Sequence, residues 1–534
     1  MEYRNRAAFW GGVAAVTAGV VLHLPMFIGA KDMDYRLVGM SFDAPMVVGM
    51  VLILAGLAAT AYGLFAPAPR ATGLERASRV RVRALDEAPI KPAHVALLAV
   101  LAAAVTIDVM KPVTLGFVVP GMAKEYGLKS PVNPGGSVPV ALLPLAGISG
   151  TVVGSFLWGD LSDRVGRRAS ILFAGVLFVG TAICGAMPGF EWNLVMCFVM
   201  GIGVGGMLPI TFALIAETVP ARHRGWLMVL IGGDVAGGYI LVSWLSSALT
   251  PEFGWRILWL LGLPTGLLLL LLNRWIPESP RFLIARGRDD EARAVMARYG
   301  AVAVGDGPSE LTAAEGSVSG RWRELVTGRL RGSALAVTLF GIGVGLVTFG
   351  FQLWIPSNLQ KLGFAEVTSD RILRDSALIG FPVTILIALL YGFWSSRKTM
   401  VLLGLGTAVA LLGFVVAGDE VAHSRALLYA LLVVPIAGIS SVLAAVTAYS
   451  SEVFPTKLRA RGTGLAAGAS KFGGVLVIAL VAAAVAPPSI AYTALIGAVP
   501  MAIAGLAVAV FGHETARRRL EEISAEELAA PGAA

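Results

Sequence analysis

Two ionisable residues stand close together inside a long apolar run, where charge is costly. Asp108 and Lys111 fall within residues 94–118, and each charge in hydrocarbon costs roughly 2.5–3.5 kcal/mol on insertion scales. Three positions apart on a helix, they share one face and can reach each other. A carboxylate there could carry a proton, and an ammonium could bind an anionic substrate. The alternative is a structural pair that neutralises itself.

Two further charges occupy comparable positions in later runs. Asp234 lies in the sequence GGDVAGG, whose glycines let a neighbouring helix approach closely. Lys471 lies well inside the run at 463–486. Asp234 is the second candidate for proton coupling, and Lys471 is a candidate for substrate binding. The alternative is that both serve helix-to-helix pairing.

Four polar or aromatic residues are candidates for lining a substrate cavity. Aromatic faces suit the apolar parts of a small molecule, and amides suit its polar groups. Trp and Tyr also collect at membrane boundaries, so an anchoring role is the alternative. The four are Gln352, Trp354, Asn358 and Tyr449.

These residues must be held by membrane-spanning helices. Of the 534 residues, 56% are hydrophobic and 14% charged, whereas soluble domains have about 25% charged residues. The apolar runs are about 18 to 25 residues long, enough to cross about 30 Å of hydrocarbon. The sequence predicts an all-α polytopic membrane protein with about fourteen helices.

The net charge of +8 reflects orientation rather than nucleic-acid binding. About 31 of the 42 Lys and Arg residues fall in alternate loops and at both termini, which is the positive-inside asymmetry. We therefore expect a multi-pass protein of the cytoplasmic (inner) membrane with both termini in the cytoplasm. Its expected partners are a small-molecule substrate, protons and the lipid bilayer, and the oligomeric state is left open.

The order of apolar and polar segments predicts six regions. They are an N-terminal transmembrane hairpin, a basic cytoplasmic linker, a six-helix bundle, a cytoplasmic inter-bundle segment, a second six-helix bundle and a cytoplasmic tail. Their bounds are 1–66, 67–93, 94–275, 276–332, 333–512 and 513–534.

The two bundles repeat one another. Glu217-x-x-Pro220-x-x-x-Arg224 recurs as Glu452-x-x-Pro455-x-x-x-Arg459, at an offset of 235 (452 − 217). Such a repeat is expected where two bundles are related by a pseudo-two-fold axis and the substrate sits between them at mid-membrane.

A charged turn carries a more specific signal. Residues 159–168 read GDLSDRVGRR, an order that resembles the signature loop between the second and third helices of the major facilitator superfamily. GWR (254–256), PESPR (277–281) and EVFPT (452–456) resemble motifs of its sugar porters and their metabolite/proton symporter relatives. The resemblance covers residues 94–513. It implies the major facilitator fold and secondary transport, here with an additional N-terminal hairpin.

The motif residues at the predicted cytoplasmic helix ends suggest a gating network. Charge pairs there would hold the outward-open state and break as the bundles rock. Each pair is weak, so several are needed to bias the equilibrium by a few kcal/mol. A purely topological role is the alternative. The residues are Gly159, Asp163, Arg164, Gly166, Arg167, Arg168, Glu217, Arg224, Glu278, Arg281, Glu452 and Arg459.

The chain departs from the family pattern at two places. The sugar-binding pattern of the seventh helix, a paired glutamine followed by Gly-x-Asn, is absent, and QLWIP (352–356) is closer to the organic-acid branch. Aromatic-acid/proton symporters carry Asp-Gly-x-Asp in the first helix. Asp108 matches the first acid, but Lys111 replaces the second. The substrate of that branch therefore cannot be assigned directly to this chain.

Three functions follow as hypotheses. The first is proton symport of a small polar, anionic metabolite by alternating access, and the second is efflux of a drug or metabolite by proton antiport. The third is a transporter-like sensor or scaffold whose hairpin recruits a partner. We expect no enzyme, metal or cofactor, because spaced metal ligands, a nucleophile elbow and a phosphate loop are not recognisable. His23 and several Met residues of the hairpin could suit Cu(I), but we expect the hairpin to pack against the core.

Overall fold

The structure is a computed structural model. It describes residues 4–65, 88–130, 133–285, 288–300, 322–327, 330–454, 456–483, 489–516 and 518. In this part the chain consists of helices and connecting turns, with two isolated bridges, Lys129 to Pro139 and Ser130 to Asn133. The predicted all-α fold is confirmed.

The described helices agree with the predicted count of about fourteen. Twelve of them are long and apolar enough to cross a membrane. Two shorter apolar helices, Leu142–Ser155 and Ile257–Leu271, bring the described apolar helices to fourteen.

The helices are numbered in chain order. The hairpin contains α1 (Arg6–Val21), α2 (Leu24–Gly29) and α3 (Ala44–Leu64). The next group is α4 (Pro92–Glu125), α5 (Leu142–Val165), α6 (Arg167–Gly180), α7 (Phe190–Thr218), α8 (Ala221–Gly233), α9 (Val235–Phe253), α10 (Ile257–Leu260) and α11 (Gly262–Leu271). Three short helices follow: α12 (Pro280–Ala285), α13 (Asp289–Arg298) and α14 (Trp322–Thr327). The last group is α15 (Arg331–Gly350), α16 (Ile355–Lys361), α17 (Glu366–Leu389), α18 (Ser396–Ala417), α19 (Arg425–Val453), α20 (Thr456–Ala483) and α21 (Ile490–Phe511).

Local sequence sets several helix ends. The Asp43 carboxylate accepts a hydrogen bond from the Met46 N–H over 2.9 Å and begins α3, with a proline in the first turn. The Ser395 hydroxyl accepts from the Lys398 N–H over 3.0 Å and begins α18. Gly166 separates α5 from α6 with a φ of 103°, a backbone conformation that glycine adopts without strain.

The chain forms two compact units, which we describe separately. The first comprises Met1–Lys129, Gly135–Arg224 and Leu241–Asp306, and the second comprises Ser130–Pro134, Gly225–Ile240 and Gly307–Ala534. Residues 225–240 thus belong to the second unit, although the sequence places them in the first bundle. They pack on the helix at 366–394: a Cβ added at Gly392 would lie 2.8 Å from Cβ of Trp226.

Two helices of the hairpin pack through glycines spaced seven residues apart. The glycines are Gly12 and Gly19 on α1 with Gly49, Gly56 and Gly63 on α3. A Cβ at Gly19 would lie 2.6 Å from the Gly49 carbonyl oxygen, and one at Gly56 would lie 2.7 Å from that of Gly12. The two backbones therefore touch, and the seven-residue spacing keeps the glycines on one face.

The hairpin rests on the first core helices of its own unit. Apolar residues of α1 and α3 form one buried cluster with residues of α6, of the turn after it and of α11. Val16 and Ile53 contact Gly180 at the end of α6. The prediction that the hairpin packs against the core is confirmed.

Candidate transport site and carboxylate caps

Helix α4 holds both charges predicted for the first core span inside the first unit. Asp108 is 1% exposed and Lys111 is 6% exposed. The Lys111 ammonium lies 5.6 Å from the ring centroid of Phe178, and a Cβ at Gly262 would collide with it. Asp108 and Cys184 are near enough to act on it electrostatically. The Lys111 side chain therefore points into the packing of α4 against its neighbouring helices.

A proline stands one helical turn beyond Asp108. Pro112 has no N–H, so the carbonyl of residue 108 receives no hydrogen bond along the helix, and the helix is weakened there. Pro120 has the same effect on the carbonyl of Gly116. Helix α4 thus has two intrinsic bending points on one side of Asp108.

The helix of the fifth core span is interrupted at Asp234. This residue lies between the end of α8 and the start of α9, and its N–H donates to the Ile231 carbonyl over 3.2 Å. Discontinuous helices are where transporters place substrate and ion sites. The structure therefore puts the second proton-coupling candidate at a helix break.

The seventh core span is also interrupted, and three predicted substrate residues gather there. Helix α15 ends at Gly350, Gln352–Trp354 form a 3₁₀ turn, and α16 follows. Gln352 is 8% exposed, Trp354 0% and Asn358 2%. The structure brings these three predicted residues together in one short buried segment.

This segment holds polar atoms with no hydrogen-bond partner in the described part of the chain. They are Trp354 Nε1, Ser357 Oγ, both amide atoms of Asn358 and Gln360 Nε2, all buried. Leaving a buried polar atom unpaired costs about 1–3 kcal/mol. The segment at 354–360 thus offers unused donors and acceptors to a polar ligand or to water.

Tyr449 and Lys471 lie elsewhere in the second unit. The Tyr449 hydroxyl donates to the His513 carbonyl over 2.9 Å and accepts from the His513 N–H over 2.7 Å. It therefore binds the chain after α21 and does not join the segment at 354–360. Lys471 is half-buried on α20, and α20 packs closely on α15, since a Cβ at Gly473 would lie 2.5 Å from the Ile342 carbonyl oxygen.

The signature turn is closed by a carboxylate that follows the sixth core span. Glu278 accepts hydrogen bonds from the N–H groups of Arg167 over 2.7 Å, Arg168 over 3.4 Å and Ser279 over 3.1 Å. It thereby caps the positive N-terminal end of α6. A Cβ at Gly166 would collide with this carboxylate. Burial raises the pKa of Glu278, although the three backbone hydrogen bonds and the Arg167 charge oppose the shift.

The second unit has an equivalent carboxylate after its last span. Glu514 accepts from the Ser396 N–H over 2.9 Å and from the Ser396 hydroxyl over 2.7 Å, and it also binds the Ser395 hydroxyl. It thereby caps α18. Burial acts to raise the pKa of Glu514, but hydrogen bonds from Ser395, Ala516 and Ser396 outweigh it, and the pKa is lowered.

Glu452, one of the predicted gating residues, belongs to the same polar cluster. It accepts from the Tyr391 hydroxyl over 2.8 Å and from the Thr515 hydroxyl over 2.7 Å. A Cβ at Gly225 would lie 2.7 Å from its other oxygen. The second unit therefore gathers five elements at this end: Gly225 of α8, the end of the helix at 366–394 with Tyr391, the start of α18, the end of α19 and the chain after α21.

A known family pattern matches most of the chain, including the residues just described. The pattern of the family described as "Sugar (and other) transporter" matches residues 116–526, a range that includes both carboxylate caps. The chain belongs to this family. The hairpin of this transporter lies outside the matched range.

Relatives of this transporter carry small molecules. The niacin transporter NiaP of Acinetobacter baylyi is 28% identical over 450 residues, which cover 83% of this chain and 99% of the relative. The 4-hydroxybenzoate transporter PcaK of the same organism is 25% identical over 439 residues, covering 80% of this chain and 92% of the relative. Transport is thus the activity of this chain's family.

The solved structure of the proton:xylose symporter XylE, an E. coli protein, is similar to this transporter with a TM-score of 0.63. The identity is 21%, and the match covers 81% of this chain and 98% of XylE. The similarity shows that the predicted major facilitator fold is correct.

Several predicted gating residues have side chains outside the described part of the transporter. They are Asp163, Arg164, Glu217, Arg224, Arg281 and Arg459, and the contacts of Gly159 are outside it as well. Their roles stay predictions.

Sequence reasoning missed two residues of these sites. Ser357 lies beside a predicted residue. Glu514 had a readable signal. Glu278-Ser279-x-Arg281 recurs as Glu514-Thr515-x-Arg517 at an offset of 236 (514 − 278), close to that of the repeat already recognised.

Proposed function

We propose that this transporter carries a small aromatic carboxylate together with a proton. The niacin and 4-hydroxybenzoate of the relatives' names share a carboxylate on a six-membered aromatic ring. The proposal narrows the small anionic metabolite expected from the sequence.

The observation that carries the proposal is the set of unpaired polar atoms at 354–360. The Trp354 indole and the Asn358 amide are buried without partners among the described residues. An aromatic face beside donors and acceptors suits a flat molecule with polar substituents, because stacking and hydrogen bonding use different atoms of the ligand. Lys471, on the helix that packs against α15, is the cation that we expect to attract the carboxylate.

Asp108 is our candidate for the proton site, with Asp234 as the second. The free-energy cost of ionising a buried carboxylate falls when water reaches it. Such a carboxylate can therefore take up a proton on one side of the membrane and release it on the other. Because Lys111 points into the helix packing, we assign it to Asp108 rather than to the substrate. Its positive charge then favours the ionised form of Asp108 and helps it release the proton.

Alternating access and membrane orientation complete the proposal. The two carboxylate caps and the gating residues around them would hold one state of the cycle, and several weak contacts must change together to shift it. On the charge asymmetry of the loops we expect a cytoplasmic-membrane protein with both termini in the cytoplasm.

The test is transport by the purified protein in liposomes that contain a pH-sensitive dye. Niacin, 4-hydroxybenzoate, sugars and lipophilic cationic drugs are added outside in turn. Acidification of the lumen with the aromatic acids supports the proposal. Proton flux only with lipophilic cations would favour antiport efflux, and no flux with any compound would favour the sensor.

Asp108→Asn is then measured with the best substrate in two assays. We expect pH-driven accumulation to be lost, while exchange of labelled for unlabelled substrate at equal pH continues. Full accumulation by the variant would remove Asp108 from the proton site, and Asp234→Asn would be next.

A further inference from the structure

A buried carboxylate at the end of α4, Glu125, binds both Arg256 and the hairpin. Arg256 donates from Nη2 to Glu125 Oε1 over 2.7 Å, with side chains 0% and 4% exposed. The Trp255 indole donates to the other oxygen of Glu125 over 2.9 Å. The remaining acceptor capacity goes to the hairpin: the N–H groups of Leu37 and Val38 donate to Glu125 Oε1 over 2.8 and 3.2 Å.

Arg256 itself is held rigidly, so Glu125 has a fixed partner. Its Nη1 donates to the carbonyls of Met187 over 2.8 Å and Gly185 over 3.3 Å, and its Nη2 donates to the Tyr126 hydroxyl over 2.8 Å. A buried guanidinium with this many acceptors has little freedom to move. The loop of the hairpin is therefore tied to a rigid point of the core.

Aromatic contacts hold the hairpin at both of its ends. Phe42 meets Trp192 with ring centroids 5.7 Å apart, and Tyr35 meets Phe253 at 5.8 Å. At the opposite end, Phe65 meets Phe173 at 5.1 Å. Together with the glycine contacts and the buried cluster, these contacts make the hairpin a fixed part of the first unit.

The attachment point is significant because of where it lies on α4. Asp108 and Glu125 belong to this one helix, and the two prolines that weaken it, Pro112 and Pro120, stand between them. The part of α4 from Pro112 onward can therefore bend relative to Asp108 unless its far end is held. Glu125 is that far end.

We propose that Glu125 is a positioning residue that, through the hairpin loop and Arg256, sets the orientation of the half of α4 that follows the proton site. The inference rests on the proposed function in one respect, namely that α4 carries the proton site. The hairpin is then a brace for the moving core rather than a docking module for another protein.

Two variants test the inference from opposite sides of the contact. Glu125→Gln keeps the size of the side chain but leaves the buried Arg256 without its counter-ion, so it risks misfolding. Val38→Pro leaves the ion pair intact and removes one hairpin N–H donor. Their controls are Glu191→Gln, an exposed acid at the start of α7, and Val38→Ala, which keeps the N–H.

The first measurement is hydrogen–deuterium exchange of the reconstituted protein at residues 34–43 and 113–125. We expect Val38→Pro to raise exchange at least threefold in both segments, although residue 38 is outside α4. Faster exchange confined to the loop, or none in either segment, would overturn the inference. This readout needs no substrate, so it stands even if every compound in the liposome screen fails.

The second measurement is the pH profile of transport, with the substrate that the screen identifies. We expect Val38→Pro and Glu125→Gln to lower the maximal rate at least threefold and to shift the pH of half-maximal accumulation, whereas KM changes less than twofold. The two controls should match the wild type. If exchange rises while rate and pH profile stay unchanged, the contact is structural only and the positioning role is wrong.

Discussion

Glu278 caps the helix that begins at Arg167, with its carboxylate oxygen 2.7 Å from the backbone nitrogen of a residue 111 positions earlier. The same relationship recurs in the second unit, where Glu514 lies 2.9 Å from the nitrogen of Ser396. The corresponding turn of the second half, GFWSSRK (392–398), has no aspartate, but the cap is preserved. The two halves therefore share the carboxylate after the sixth helix, whereas only the first half has aspartates in the turn.

Gly166→Ala should destabilise the transporter more than Gly127→Ala. Both glycines have positive φ, 103° and 63°, and alanine costs about 1–2 kcal/mol in the left-handed region. With a ψ of 156°, Gly166 lies in a region that is essentially restricted to glycine, where the strain is about 1–3 kcal/mol. At Gly127 a new methyl group meets nothing within 4 Å, whereas at Gly166 it displaces the Glu278 carboxylate and weakens hydrogen bonds worth about 1.5–3 kcal/mol each. Thermal unfolding in detergent measures both. Equal losses of Tm would contradict both the greater backbone strain at Gly166 and the displacement of Glu278.

The two carboxylate caps should respond to pH in opposite ways. The folded-state pKa of Glu278 is raised, so its contribution to stability is fully present below the unfolded pKa of about 4.3 and is lost as pH rises through the folded pKa. The folded-state pKa of Glu514 is lowered. Its contribution is present above about 4.3 and is lost as pH falls through the folded pKa.

Two glutamine variants make this prediction measurable. The Tm of the wild type minus that of Glu278→Gln should fall as pH rises above about 4.3, because the folded-state pKa of Glu278 is raised. The same difference for Glu514→Gln should fall as pH is lowered below about 4.3, because the folded-state pKa of Glu514 is lowered. Parallel pH dependence of the two differences would contradict the opposite pKa shifts.

Gly56→Ala should loosen the hairpin, whereas Gly11→Ala should not. The new methyl group at position 56 would lie 2.7 Å from both the Gly12 carbonyl oxygen and a Val16 methyl group, whereas position 11 has nothing within 4 Å. Overpacking of this kind costs about 1–3 kcal/mol, while alanine at an open helical position stabilises by up to about 1 kcal/mol. Thermal unfolding distinguishes the pair. A loss at Gly11 as large as that at Gly56 would contradict the close contact of the two backbones.

Asn358→Leu should stabilise the substrate-free protein and weaken substrate binding. Both amide atoms of Asn358 are buried without partners in the described residues, and an apolar side chain of similar size removes a cost of about 1–3 kcal/mol. If the amide binds the substrate, affinity should fall about tenfold or more. Tm without substrate and KM in liposomes are the two readouts. Loss of stability without change in KM would assign Asn358 to the fold instead.

The sequence predicted well wherever one local pattern decides the outcome. Apolar runs gave the spans, and the cost of buried charge singled out Asp108 before any contact was known. The break in the seventh span was not predicted, because a proline such as Pro356 begins a helix as readily as it ends one.

Contacts between distant residues were harder to predict. The ion pair of Glu125 and Arg256 joins residues 131 positions apart, and nothing near either residue names the other. The seven-residue spacing of the hairpin glycines is visible in the sequence. It did not predict contact between the two helices, because glycine is common in membrane helices whether or not they touch. Tyr449 was placed with the substrate residues by type alone, whereas its hydroxyl binds the backbone of His513.

The carboxylate caps also set an order of assembly. In each half the residue that completes the turn between the second and third core helices is made only after the sixth, 111 positions later for Glu278 and Arg167 and 118 for Glu514 and Ser396. The third helix of each half therefore leaves the ribosome before its capping carboxylate exists. Its first backbone N–H groups lack that partner until the sixth helix of the same half has been inserted. Each half thus closes as a unit, and an insertion defect in its sixth helix leaves unfinished a turn that was synthesised long before.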